Sequence, residues 1–161
     1  MKYVLAGVLL TTAVCVEPAS ATPGSGFAPS PIVNGHFGTL DVKTENDKTG
    51  HWGMILKTKD ETDIGADRLT VQAGGSSGWH SHPSAVYVTV LQGTIVWTDG
   101  SDPLCRAHTY SAGQSFIEGA YRIHNVESAG GAEFVAVVIK PAGFEGPKFR
   151  LDEGKPNNCN F

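Results

Sequence analysis

The chain has 161 residues, a formal net charge of −4 and a mean hydropathy of −0.11, a size at which one domain with its own hydrophobic core is the natural expectation. The acidic balance and the lack of a lysine/arginine cluster argue against nucleic acid and anionic membrane surfaces as partners, since both call for concentrated positive charge. No Gly-rich phosphate loop leads into a helix and no Gly-x-Ser-x-Gly element occurs, so nucleotide enzymes and α/β-hydrolases lose support.

Met1 and Lys2 give a short basic start, Val4 to Val16 an apolar run too short for a permanent membrane span, and Ala19-Ser20-Ala21 a small-x-small site. Together they predict a signal peptide over residues 1–21, cleaved after Ala21, and a secreted or periplasmic mature protein free of the membrane. Attachment through a lipidated Cys15 is disfavoured, because Val14 stands where the sites of known lipoproteins carry a small residue. Residues 22–36 are rich in proline and glycine and read as an N-terminal arm or linker in which chemistry is not expected. The barrel domain is expected over 37–145 and a polar tail over 146–161. Removal of Cys15 leaves Cys105 and Cys159, an even pair in an oxidising compartment. Their pairing would close a loop of about 55 residues, worth roughly 4 kcal/mol in the loop-entropy model; two unpaired thiols are the alternative.

Phe37–Lys43 and Trp52–Lys59 give short extended patterns, with breaks between them and over Asp60–Ala66. His36 and His51 fall at these breaks and read as surface residues. Asp67–Ala73 alternates Leu69 and Val71 with polar residues, the period of a half-buried strand. The stretch that follows, GGSSGWHSHPSAVYVTVLQG from Gly74 to Gly93, places His80 and His82 one residue apart. Residues two apart in an extended strand share a face, so both imidazoles can aim at one point, as a divalent metal requires of its first ligands. Val86, Val88 and Val90 then share a buried face, Tyr87, Thr89 and Leu91 the other, and Gln92-Gly93 reads as a tight connection into a strand over Thr94–Thr98.

Spaced as Gly74, five residues, His80-Ser81-His82, three residues, Val86, six residues, Gly93, the stretch resembles the first motif of the cupin superfamily in every fixed position except one. That position is a glutamate in the motif and Val86 here. The segment from Gly113 resembles the second cupin motif through Gly113 and His124, and departs from it at Gly119, Tyr121 and Ser128. The resemblance covers roughly residues 65–140. It implies a small jelly-roll barrel in which His80, His82 and His124 converge at the mouth on a divalent transition metal: iron, manganese, zinc, nickel or copper. Many cupins also pair two subunits, so a homodimer falls within what it implies.

Of the remaining chain, His108 has no partner at ligand spacing and reads as structural or exposed. Ser115–Glu118, Arg122–Glu127 and Glu133–Lys140 are further strands, the last nearly continuous in apolar residues as a central strand should be. No segment shows a helical period over ten residues, so the residues alone already read as an all-β barrel or sandwich. Val86 in place of the glutamate implies a more electrophilic ion with open positions for water or a small-molecule ligand, as in three-histidine dioxygenase-like cupins. Glu118, Tyr87 and Tyr121 are the nearby groups that could act as ligand, acid or base. The readings that follow are a metal-dependent oxygenase, a non-catalytic module that holds a small ligand through its metal, and a barrel with a vestigial site.

Overall fold

The computed structural model describes residues 21–45, 50 and 52–160; the expected signal peptide, Cys15 and His51 lie outside them. Eleven strands run in chain order: β1 Ser25–Phe37, β2 Asp41–Glu45, β3 Gly53–Lys57, β4 Thr62–Ser76, β5 His80–Ser81, β6 Val86–Asp99, β7 Ala107–Ser111, β8 Ser115–Glu118, β9 His124–Ser128, β10 Ala132–Pro141 and β11 Leu151–Asp152. Among the described residues there is no α-helix, only a 3-10 turn at Gly146–Lys148.

The barrel forms because β4 pairs with β10, β10 with β6, β6 with β9, and β9 returns to β4 through Gly75↔Ser128 and Ser76↔Glu127. All these pairings are antiparallel, and the result is a small jelly-roll barrel: the short strands and the absence of helical period predict an all-β barrel or sandwich, and the cupin resemblance implies the jelly roll. Its filling follows from alternation. Val86, Val88 and Val90 of β6 are buried while Tyr87, Thr89 and Leu91 are exposed, and β10 buries Ala132, Phe134, Ala136 and Val138 on one face. Each such aliphatic side chain contributes about 1.5–3 kcal/mol on leaving water.

Three boundaries differ from the reading of the sequence. The proline-rich arm is strand β1, which runs antiparallel to β4 and packs Phe27 on Phe134 with ring centroids 6.1 Å apart. β1 lies at the end of the sheet order, where a proline's missing N–H costs no central ladder bond, and a register shift between Pro31 and Val33 absorbs the irregularity. The expected break over Asp60–Ala66 is instead the start of β4. Its polar residues have partners there: Asp63 accepts from Gly143 N–H at 3.1 Å and pairs with His36 Nδ1 at 2.9 Å. Finally, Gln92-Gly93 is no hairpin. β6 runs straight through it, with a register shift against β10 at Glu133/Phe134 and a left-handed φ of 75° at Gly93, so that its first half pairs with β8 and β10 and its second with β7 and β9.

The polar tail is fastened to the barrel. Cys105 and Cys159 form a disulfide buried beside Trp79, β11 pairs with β5 (Asp152↔His80), and Asn158 Nδ2 donates to Asp102 O at 2.7 Å.

Candidate metal centre

His80 lies on β5, His82 just beyond it and His124 at the first position of β9, where β9 pairs both with His80 and, through Asp99, with the end of β6. The ladder thus brings together residues 44 positions apart in the chain, and one ligand atom from each of the three imidazoles lies within 4.8 Å of the others. All three side chains are buried.

The backbone sets their tautomers. His80 Nδ1 faces Gly78 O at 2.9 Å, His82 Nδ1 faces Phe149 O at 3.2 Å and His124 Nδ1 faces Arg122 O at 2.8 Å. A carbonyl only accepts, so each Nδ1 must carry the proton, and each neutral ring keeps its lone pair on Nε2. This is the arrangement by which an outer hydrogen bond orients a metal-ligating histidine.

Glu118 stands beside the cluster, close to His124 and His82. It ends β8, directly opposite Val86 in the β6–β8 register, and the alternation of SFIE puts Phe116 and Glu118 on the buried face. Its Oε1 lies 3.2 Å from His124 Nε2 and its Oε2 lies 3.7 Å from His82 Nε2. His124 Nε2 is buried without a hydrogen-bond partner: the carboxylate is within ion-pair reach but out of line for a hydrogen bond. The face expected to be all histidine therefore carries a carboxylate, on the strand beside the one where the cupin motif has it. Val86 itself is buried and lines the cavity next to it.

Tyr87 and Tyr121 do not enter the cluster. Tyr87 is 43% exposed because it alternates out of phase with Val86 and Val88, and Tyr121 is 66% exposed in a turn with φ 55°. Tyr121 acts through its backbone, whose N–H donates to His82 O at 2.6 Å. His36 and His108 are exposed and not members of the cluster, His108 lying against Trp97 with ring centroids 5.8 Å apart. Phe149 and Arg150, in the tail, had no signal at ligand spacing. Phe149 stacks on His82 with centroids 4.8 Å apart, and Arg150 donates to Ser77 O at 2.7 Å.

Burial first, then the charges of its neighbours, holds His80 well below its ordinary pKa. Burial likewise pushes His82 down to about 4, against the pull of Glu118. For His124 burial also opposes the proton, but the charge of Glu118 and its contact outweigh it and the pKa rises. Burial opposes ionisation of Glu118, yet His124, His82 and Arg150 hold its pKa below the ordinary value. The signs give a testable pH dependence. Between pH 6.5 and about 4 the unfolded chain binds a proton on His82 that the folded chain refuses. The stability from neutral His82 is thus complete above pH 6.5 and lost as the pH falls towards 4, on the order of 3 kcal/mol in all. His80 acts in the same direction, whereas the raised His124 acts in the opposite one. Metal-free protein should unfold at a clearly lower urea concentration at pH 5 than at pH 7; equal midpoints would contradict this balance.

A closed jelly-roll barrel with a histidine and carboxylate cluster on its inner surface defines a class of small β-barrels built around an interior site. Residues 67–140 form a domain of the cupin type: the Cupin domain family matches over that stretch. Among solved structures, a cupin-2 domain containing protein from Shewanella frigidimarina is 15% identical with a TM-score of 0.42, covering 53% of this chain and 76% of its own. A cupin superfamily protein from Desulfitobacterium hafniense is 11% identical with a TM-score of 0.44, over 66% and 77%. The polyketide cyclase RemF from Streptomyces resistomycificus is 10% identical with a TM-score of 0.50, over 85% and 88%. At these identities the likeness is one of fold. Comparison with curated proteins gave no match.

Proposed function

We propose that this protein is an exported cupin that binds one divalent transition metal through His80, His82, His124 and Glu118 and presents it to a small molecule in the barrel cavity. The observation that carries this reading is the set of three Nε2 lone pairs, fixed by three Nδ1–carbonyl contacts, converging beside a buried carboxylate. Without a cation, the carboxylate has only a proton on His124 to face, and the Nε2 lone pairs of His80 and His82 stay unpaired in low dielectric, which is costly. Metal–ligand distances of about 2.0–2.2 Å put neighbouring donor atoms roughly 3–3.5 Å apart; the Glu118–His124 spacing meets this, and the wider histidine triangle would draw in. Three imidazoles and one carboxylate suit manganese, iron, nickel, copper or zinc.

Such an ion would polarise a bound oxygen and, if it is iron, manganese or copper, add one-electron chemistry. The chain's own contributions are orientation and exclusion of water. Gly78 O, Phe149 O and Arg122 O hold the rings, and Phe149 covers His82. The carboxylate of Glu118 offsets one unit of the ion's charge, so the site is less electrophilic than an all-histidine one. Export is supported by the disulfide and by the apolar run that ends at Ala19-Ser20-Ala21.

Protein purified without a histidine tag and reconstituted separately with manganese, iron, nickel, copper and zinc should retain about one equivalent of at least one of them after desalting, as a complete ligand set predicts. Retention of none would defeat the reading. Oxygen uptake by the iron or manganese form would assign it to the oxygenases; retained metal and bound ligand without turnover would make it a binding module.

A further inference from the structure

The metal cluster lies on the wall of a cavity of about 1000 Å³, far larger than an ion and its waters need. Much of its wall is hydrocarbon, with Asn34, Asp67, Arg150 and Asp152 among its polar lining. Alternate residues of β1 (Phe27, Pro29, Pro31) and of β10 (Phe134, Ala136, Val138) line it. The inward ladder of β10 does not end on an apolar residue. The next position of the same parity is Lys140, 7% exposed, whose Nζ lies 5.6 Å from the centre of the Phe149 ring. Phe149 is stacked on His82 through the same ring, so one aromatic side chain separates the buried ammonium from the histidine cluster.

We propose that the ligand of this cavity is an aromatic or similarly apolar acid that carries an oxygen donor apart from its carboxylate. The carboxylate is held by Lys140, the body lies against β1 and β10, and the second oxygen reaches the histidine and Glu118 cluster. The inference rests on the metal-binding reading above for that last contact alone. A lysine is almost never fully buried unless paired, and the partner of Lys140 is Glu145, at 2.7 Å, with a side chain 66% exposed. A carboxylate at the protein surface that satisfies a cation inside a cavity is one that an incoming carboxylate can replace, with little loss of its own solvation. Asp67 also lines the cavity. Burial raises its pKa, with Lys140 opposing and Glu145 assisting. The apolar face of β1 and β10 provides no partners for the hydroxyls of a sugar lying against it, which would be left unpaired there.

The probes are a hydroxynaphthoate with hydroxyl and carboxylate on opposite rings, a naphthol lacking the carboxylate, and glucuronate. Each is titrated calorimetrically into the full zinc-loaded chain, with zinc content measured on the same samples. Hydroxynaphthoate should bind about tenfold or more tightly than naphthol, the scale of one charge-assisted contact, and glucuronate should not compete. Lys140→Met should abolish that preference while leaving naphthol affinity and zinc content unchanged. Glu145→Gln removes the competing carboxylate and should tighten hydroxynaphthoate binding severalfold, whereas a Glu145 that merely positions Lys140 would weaken it. Equal affinity for the two aromatic probes, equal loss of both in Lys140→Met, or no binding of either by zinc-loaded protein overturns the inference and leaves the metal site standing. A chain that retains no zinc yet shows the Lys140-dependent preference overturns the metal site and leaves the acid-binding cavity standing.

Discussion

Glu118→Gln should lower metal affinity by more than about a hundredfold, beyond the 10–100-fold typical of a lost outer hydrogen-bond partner, while the chain stays folded. The substitution is nearly isosteric, so the barrel loses no volume. What changes is that one anionic donor, 3.2 Å from His124 Nε2 and 3.7 Å from His82 Nε2, becomes neutral. In the metal-free protein the loss is mild or favourable, because a buried carboxylate is exchanged for an amide. Val86 and Glu118 face each other across the β6–β8 pair, and this supplies a sharper form of the test. Glu118→Val alone should abolish stoichiometric metal, and adding Val86→Glu should restore part of it by returning a carboxylate from the adjacent strand. Competition with a metal indicator reads both, and circular dichroism checks the fold. Metal affinity in Glu118→Gln equal to that of the unaltered protein would remove Glu118 from the ligand set.

Gly93→Ala should destabilise the barrel by at least about 3 kcal/mol, and Gly113→Ala by only about 1–2 kcal/mol. Both glycines have a left-handed backbone, with φ 75° and 85°, so an added Cβ brings similar conformational strain at each. Their surroundings differ. A Cβ at Gly113 meets nothing within 4 Å, whereas one at Gly93 collides with the carbonyl oxygen of Gly131 and comes 3.0 Å from Ala132 Cα. Those atoms are backbone and cannot swing away. Gly93 is where β6 changes partners, so the displaced β10 would carry the inner wall of the cavity with it. Urea unfolding should show a lower midpoint for Gly93→Ala at an unchanged slope. Equal costs at the two glycines would mean that strain alone, and not the close approach of two strands, fixes glycine at this position.

The alternation of the strands was readable along the chain, and so was the pairing of His80 with His82, because both are local periodicities. His124 needed the second motif, since no spacing rule links residues 44 apart. What lay beyond reach was adjacency. SFIE announces that Glu118 shares the buried parity of Phe116, but nothing within four residues says that β8 lies beside Val86, so Glu118 stood as one candidate with Tyr87 and Tyr121 and could not be singled out. Gly93 misled for a related reason: a glycine between two alternating runs fits a turn and a bent continuous strand equally well. Pro29 and Pro31 speak against a central strand, where a missing N–H costs a ladder bond, and not against one at the end of a sheet. Lys140 was legible as the end of an apolar run but not as its inward-facing member, since EFVAVVIK is apolar on both parities up to that point.

The three contacts that orient the histidines are unequal in origin. Gly78 and Arg122 each lie two residues before the ring they hold, so His80 and His124 acquire their orientation from their own local chain. Phe149 lies 67 residues after His82. A chain that ends at β10 lacks the carbonyl that holds the ring of His82. That ring is turned only after the tail has crossed the mouth of the barrel, where the Cys105–Cys159 bridge holds it. The proposed ion would thus find its full set of oriented rings only on a chain whose tail is in place and whose bridge is closed.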